Sequence, residues 1–157
     1  MTTPEALFGT ERQPLARLFA IGYRSLVDDM HDRLAARGWI DVRPSYGFVL
    51  LAARSPVQVV DLAVLLGVTK QAASKLVEGM QQAGLVERAG HPTDGRAKRI
   101  VLTTRGRELL ADVEAIYVEL EAAWAATIGT DHLETLRTDL MRVLRSTHGG
   151  ALPPVRP

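Results

Sequence analysis

The sequence predicts a mainly α-helical chain that carries one small β-hairpin, and three observations predict it. Apolar residues recur at three- and four-residue steps in several separate stretches. The period changes to that of short strands only between Leu85 and Leu102, on either side of a Gly- and Pro-containing loop. Residues that start or stop helices stand at the borders of the periodic stretches, among them Gly38, Thr69, Gly84 and Thr103.

Taken in order, Leu15, Leu18, Phe19, Leu26, Met30 and Leu34 form one stripe of a helix over 13–37, stopped at Gly38. Pro44 and Ser45 open a short second helix through Phe48, Val49, Leu50 and Leu51, which Ser55-Pro56 breaks. "VQVVDLAVLLGV" is a third, strongly apolar helix ending near Gly67. Thr69 caps a fourth, "KQAASKLVEGMQQA", closed by Gly84. "LVER" and "AKRIVLT" read as paired strands, with Ile100 and Leu102 on one face of the second. Thr103 or Thr104 then caps a long helix to about residue 128, and Asp131 caps a last one to about residue 146. The tail "GGALPPVRP", 148–157 with His148, reads as loose and flexible.

Composition narrows the function. The chain has 157 residues, 46% of them hydrophobic, enough to build one core with an added oligomerisation element. It has no cysteine, which removes disulfides, thiol catalysis and thiolate metal sites. No apolar run approaches the roughly 18 residues of a membrane span, and the first residues lack the pattern of a signal peptide, so a cytoplasmic location and no membrane partner are expected. The net charge is only +1, but residues 68–107 hold eight Lys or Arg against three acids, leaving +5 here and −4 elsewhere. Such a patch on a near-neutral chain suits an anionic partner.

Helices three and four, joined by the short turn around Gly67, match a helix-turn-helix. Ala73, Leu76, Val77 and Met80 take the side that packs inward. Lys70, Gln71, Ser74 and Lys75 take the other, within the first two turns, where such a helix meets base edges in a major groove. Small residues at Ala72 and Ser74 permit close approach, Gln71 offers a paired donor and acceptor, and Thr69 with the helix-start N–H groups suits a phosphate. An ordinary amphipathic helix with a solvated face fits that helix taken alone. The hairpin that follows makes the ordered set a winged helix-turn-helix. Arg96 at its tip is long enough for a minor groove, Asp94 can brace it, and Lys98 and Arg99 suit neighbouring phosphates.

These residues resemble the multiple-antibiotic-resistance regulator (MarR) family. Its wing typically reads Asp-x-Arg-x-Lys, alternating aliphatics and Leu-Thr-x-x-Gly, and "DGRAKRIVLTTRG" follows that pattern. "DLAVLLGVTKQAASKLVEGMQQAGLVER" follows the family's helix-turn-helix, with Leu62, Ala63, Leu66, Thr69, Leu76, Gly84, Leu85, Val86 and Arg88 in the expected places. The similarity is close over 58–106, about a third of the chain. It implies a homodimer on a near-palindromic double-stranded DNA operator, usually a repressor released by a small molecule, with Arg96 in the minor groove, Asp94 supporting it, and helix four reading bases. Ala72 and Ala73 are smaller than is usual there, Gly79 costs its helix up to ~1 kcal/mol relative to Ala, and Gly95 loosens the wing tip.

The resulting organisation is one unit over 1–157: dimerisation helices at 12–37 and 104–147 around a winged helix-turn-helix at 44–103. The 104–128 helix would be roughly 37 Å long. Leu109, Leu110, Val113, Ile116, Tyr117, Leu120, Trp124 and Ile128 make a band too wide for a helix projecting from a small domain. With helix one and with Leu133, Leu136, Leu140, Val143 and Leu144, it fits packing against a second copy; packing within one chain is the alternative. The resemblance also implies an aromatic or phenolic effector in the crevice between dimer helices and winged domain. Trp39, Tyr46 and His31 fall near it, each with core packing or plain exposure as its other reading. His31 beside Asp28 and Asp32 reads as a solvated face, with no second histidine at ligand spacing to make a metal site. No nucleophile elbow, phosphate-binding loop or His-Glu-x-x-His occurs, so neither catalysis nor a cofactor is expected. An architectural DNA binder without effector response, or a helical protein-interaction module, are the competing readings.

Overall fold

A computed structural model describes residues 12–90 and 98–155 of the chain. Their elements run α1 (Leu15–Ala36), α2 (Pro44–Ala52), α3 (Val59–Leu66), α4 (Lys70–Gln82), β1 (Val86–Gly90), β2 (Lys98–Leu102), α5 (Thr104–Ile128) and α6 (Thr130–Thr147). Each lies where the periodicity puts it. β1 and β2 pair antiparallel, from Val86 opposite Leu102 to Gly90 opposite Lys98. Val57, just ahead of α3, adds an antiparallel bridge to Ile100.

The core lies between α2, α3, α4, the root of the hairpin and the first two-thirds of α5. Leu50, Leu62, Leu66, Val77, Met80, Ile100 and Leu109 are fully buried there. Each contributes on the order of 1.5–3 kcal/mol by leaving water. The stripe of α1 divides in two: Met30 and Leu34 are buried, but Leu15, Leu18 and Phe19 stand exposed. Likewise Trp124 and Ile128 remain about 40% exposed at the far end of α5. No residue of α6 is buried. Among the described residues no helix is long and apolar enough to cross a membrane.

Polar contacts tie α1 to α5. Arg37 donates to Asp112 at 2.8 Å and to Glu119 at 2.5 Å, and Arg33 donates to Glu119 at 2.6 Å. The Trp39 indole N–H donates to the other Asp112 oxygen at 2.6 Å. Exposed ion pairs of this kind each contribute under about 1 kcal/mol, so they orient α1 more than they hold it.

One expectation is corrected. Asp131 sits in the first turn of α6, and the residue at the cap is Gly129, at φ 90°. A glycine adopts that backbone without a Cβ penalty, and the chain turns there between two long helices. In the described part of the tail, the Val155 N–H donates to the Leu65 carbonyl of α3 at 2.9 Å.

Candidate nucleic-acid interface

The approach of α3 to α4 is set by a tight turn. α3 ends with Gly67 in the left-handed region, φ 62°. Gly67 N–H donates to Val64 O at 3.2 Å and Val68 N–H reaches back to Ala63 O at 3.0 Å, a Schellman closure. Thr69 follows in extended conformation as the cap of α4, its hydroxyl oxygen accepting from Ala72 N–H at 3.1 Å. That bond removes the Ala72 amide from any anion site at the helix start. From this cap Ala73, Val77 and Met80 point into the core, while Lys70, Gln71, Ala72 and Lys75 are exposed. Ser74 is half-buried, at the edge of the exposed face.

Gly79 has a packing reason. A Cβ there would lie 3.1 Å from the Tyr46 hydroxyl oxygen, so the missing side chain lets α2 close on α4. Gly106 is more tightly constrained. A Cβ there would lie 1.9 Å from the Leu85 carbonyl oxygen, and the adjacent Thr103 hydroxyl donates to Gly84 O at 2.6 Å. The Leu-Thr-x-x-Gly run therefore clamps the start of α5 onto the bend between α4 and β1.

The wing is described up to its rungs. Ile100 and Leu102 face the core as expected. Lys98 is exposed opposite Gly90, and Arg99 is half-buried opposite Ala89. Successive strand residues point to opposite faces, so these two cations serve different sides of the ribbon rather than one row of phosphates. Asp94 and Arg96, with Gly95 between them, lie outside the described residues.

Several cations of the basic stretch have protein partners that charge counting could not reveal. Arg88 donates to Gln81 at 3.2 Å, Arg107 to Leu102 O at 2.7 Å, and Arg105 lies 4.9 Å over the Trp39 ring. Among the described residues the basic face of the helix-turn-helix is thus narrower than its sequence count, and centres on Lys70, Lys75 and Lys98. Sequence reasoning also missed Val57, whose single bridge to Ile100 leaves no periodic signal.

A cavity of about 120 Å³ lies between α1, α2 and α5, lined among others by Tyr23, Met30, His31, Arg43, Phe48 and Tyr117. That is on the scale of the ~150 Å³ that holds one benzene ring. His31 Nδ1 lies 2.7 Å from Val27 O, which can only accept, so Nδ1 carries the proton. Nε2 is buried without a hydrogen-bond partner. Burial, and then the neighbouring Tyr23, raise the Tyr117 phenol above its ordinary pKa. Trp39 and Tyr46 do not line this cavity. Trp39 is engaged by Asp112 and Arg105, and Tyr46 is buried against Gly79.

Residues 49–97 match the family model described as MarR family. Among solved structures, the fold is similar to that of transcriptional regulator PA3341, with 27% identity over 87% of this chain and 99% of that one, at a TM-score of 0.69. It is similar to the MepR–DNA complex of S. aureus, with 20% identity over 87% of this chain and all of the other (100%), at 0.68. It is also similar to S. aureus MepR bound to ethidium bromide, with 21% identity over 87% and 98% of the two chains, at 0.58.

Proposed function

We propose that the chain is a winged-helix protein of the MarR family and, on that premise, a DNA-binding transcription regulator. In this reading it is a repressor that holds a near-palindromic operator as a homodimer and releases it when a small molecule binds. The cytoplasm is its place of action.

The start of α4 carries the reading. Thr69 caps a helix whose inner face is locked by Ala73, Val77 and Met80, and whose outer face offers Lys70, Gln71 and Lys75 to solvent beside small Ala72. A rigid, cationic helix end with little bulk fits a major groove. Lys98, on the hairpin directly after it, adds a phosphate contact, and Arg96 with Asp94 is assigned to the adjacent minor groove. Two reading helices are required for a two-fold operator, and exposed apolar residues on α1, α5 and α6 supply the pairing surface. An 18-residue helix with no buried residue is costly to leave in water.

The cavity is the effector site of this reading. Its apolar walls fit a planar ring, and the unpartnered His31 Nε2 fits a donated hydroxyl proton, as a phenol provides. Occupancy would wedge α1 against α2 and so alter the angle between the pairing helices and the reading head.

Fluorescence anisotropy with a duplex from upstream of the gene tests the proposal. The full chain should bind saturably, Gln71→Ala should blur the preference among duplex sequences more than it lowers affinity, and a phenolic compound should release the duplex. Equal affinity for every duplex would instead favour an architectural binder.

A further inference from the structure

Three features meet where α3 ends. The Schellman closure uses the carbonyls of Ala63 and Val64, so the Leu65 carbonyl has no acceptor role within its own helix. The Val155 N–H fills it at 2.9 Å. The outer face of α3 carries Val60, Val64 and Leu65, and a groove beside it is bordered by Leu144 from α6 and by Leu152, Pro153 and Pro154. The segment is suited to that path. Gly149 (φ 66°) and Gly150 (φ 91°) reverse the chain after α6, and the Gly150 N–H closes on Arg145 O at 2.8 Å. Pro153-Pro154 then hold it extended, with less chain entropy to lose on docking.

We propose that residues 149–155 act as a positioning strap for the reading helix. The strap hooks the end of α6 onto the Leu65 carbonyl of α3, and so sets the turn Gly67–Thr69 from which α4 begins. It rests on the assignment of α4 as the DNA-reading helix. Leu152 and Val155 remain 49% and 36% exposed, so the strap buries little and its grip is mainly the directional hydrogen bond. Its loss should therefore disturb the geometry of the turn without unfolding the domain. Because α6 belongs to the proposed pairing surface, the strap also fixes how far each reading head stands from the two-fold axis.

Val155→Pro in the full chain removes the donor while keeping the segment extended, and Pro153→Gly with Pro154→Gly loosens the segment while keeping the donor. Hydrogen exchange without DNA, thermal unfolding and duplex binding are measured on both. We expect the Val68 and Ala72 amides to exchange about tenfold faster in each variant. Duplex affinity should fall roughly five- to tenfold at an unchanged unfolding midpoint. Unchanged exchange in both variants overturns the strap. Faster exchange with wild-type affinity overturns its positioning role. If the unaltered chain binds no duplex, the DNA assignment fails and the positioning role with it, while the exchange data still decide whether the strap grips the turn.

Discussion

Val57 and Ile100 exchange two backbone hydrogen bonds, Val57 N–H to Ile100 O at 3.1 Å and Ile100 N–H to Val57 O at 2.7 Å. Since Ile100 also stands opposite Arg88, β2 is held on both edges, and the wing is joined to the chain just ahead of α3. Val57→Pro removes one donor and leaves the acceptor of a fully buried residue without it. The expected cost is about 1–3 kcal/mol in urea unfolding, together with weakened duplex binding. A stability equal to that of the unaltered chain would show that the bridge does not anchor the wing.

The two helix glycines should respond very differently to a methyl group. Gly106→Ala drives a Cβ into backbone at Leu85, which has no flexible end to withdraw, so a loss above about 4 kcal/mol or failure to fold is expected. At Gly79 the neighbour is the tip of Tyr46, and the ~1 kcal/mol of helix propensity gained by Ala competes with crowding. Chemical unfolding of Gly79→Ala, alone and with Tyr46→Phe, separates the two effects. The gain should be larger in the Phe background, and equal gains would remove the crowding argument.

Asp112 supplies a pH dependence. The Trp39 N–H first, and then Arg37, hold its carboxyl below the usual carboxylate range. Its folded pKa is depressed, so its contribution is fully present above the unfolded value of about 3.9 and is lost as pH falls through the lower folded value. The carboxylate is about a third exposed (34%), so the contribution should stay under about 1 kcal/mol. Melting curves between roughly pH 2 and pH 6 should fall more steeply for the unaltered chain than for Asp112→Asn. Parallel curves would remove Asp112 from the acid response.

Pairing is tested on α6. Leu136→Glu and Val143→Glu place charge on a helix that has no buried residue, at positions 38% and 56% exposed. Sedimentation should show single subunits, with the helix content of residues 12–128 retained. Duplex affinity should drop on the order of 100-fold, because the second head loses its tether. Variants that still sediment as pairs would move the interface elsewhere.

The helix-turn-helix was legible because its signals are local. Gly67 and Thr69 mark the turn, and the four-residue rhythm of Ala73, Val77 and Met80 marks the inner face. Other features depend on partners distant in sequence. Nothing near Trp39 announces that Asp112 and Arg105 will engage it, so its place outside the cavity could not be read. Charge counting included Arg88, Arg105 and Arg107 in the basic surplus of residues 68–107, although each is bonded or stacked within the chain. The contact of Val155 with Leu65 is of the same kind: Gly and Pro argue against helix in the tail, and say nothing of a distant carbonyl.

The wing tip gives the most selective residue-level comparison. Arg96→Ala should weaken binding to the preferred duplex by about 10- to 100-fold, equivalent to roughly 1–3 kcal/mol, with the melting temperature unchanged. Lys75→Ala should lower affinity for all duplexes alike and reduce the salt slope by about one.

The most direct measurement is the affinity of the full chain for a duplex from upstream of its gene, taken across a range of salt concentrations. Two paired heads on neighbouring major grooves, about 34 Å apart, predict a linear fall of log affinity with log salt, steepened by about 0.9 for each phosphate held. The two half-sites should be inverted repeats of each other, one helical turn apart. Binding that ignores salt, or no binding to any duplex at low salt, would contradict the account.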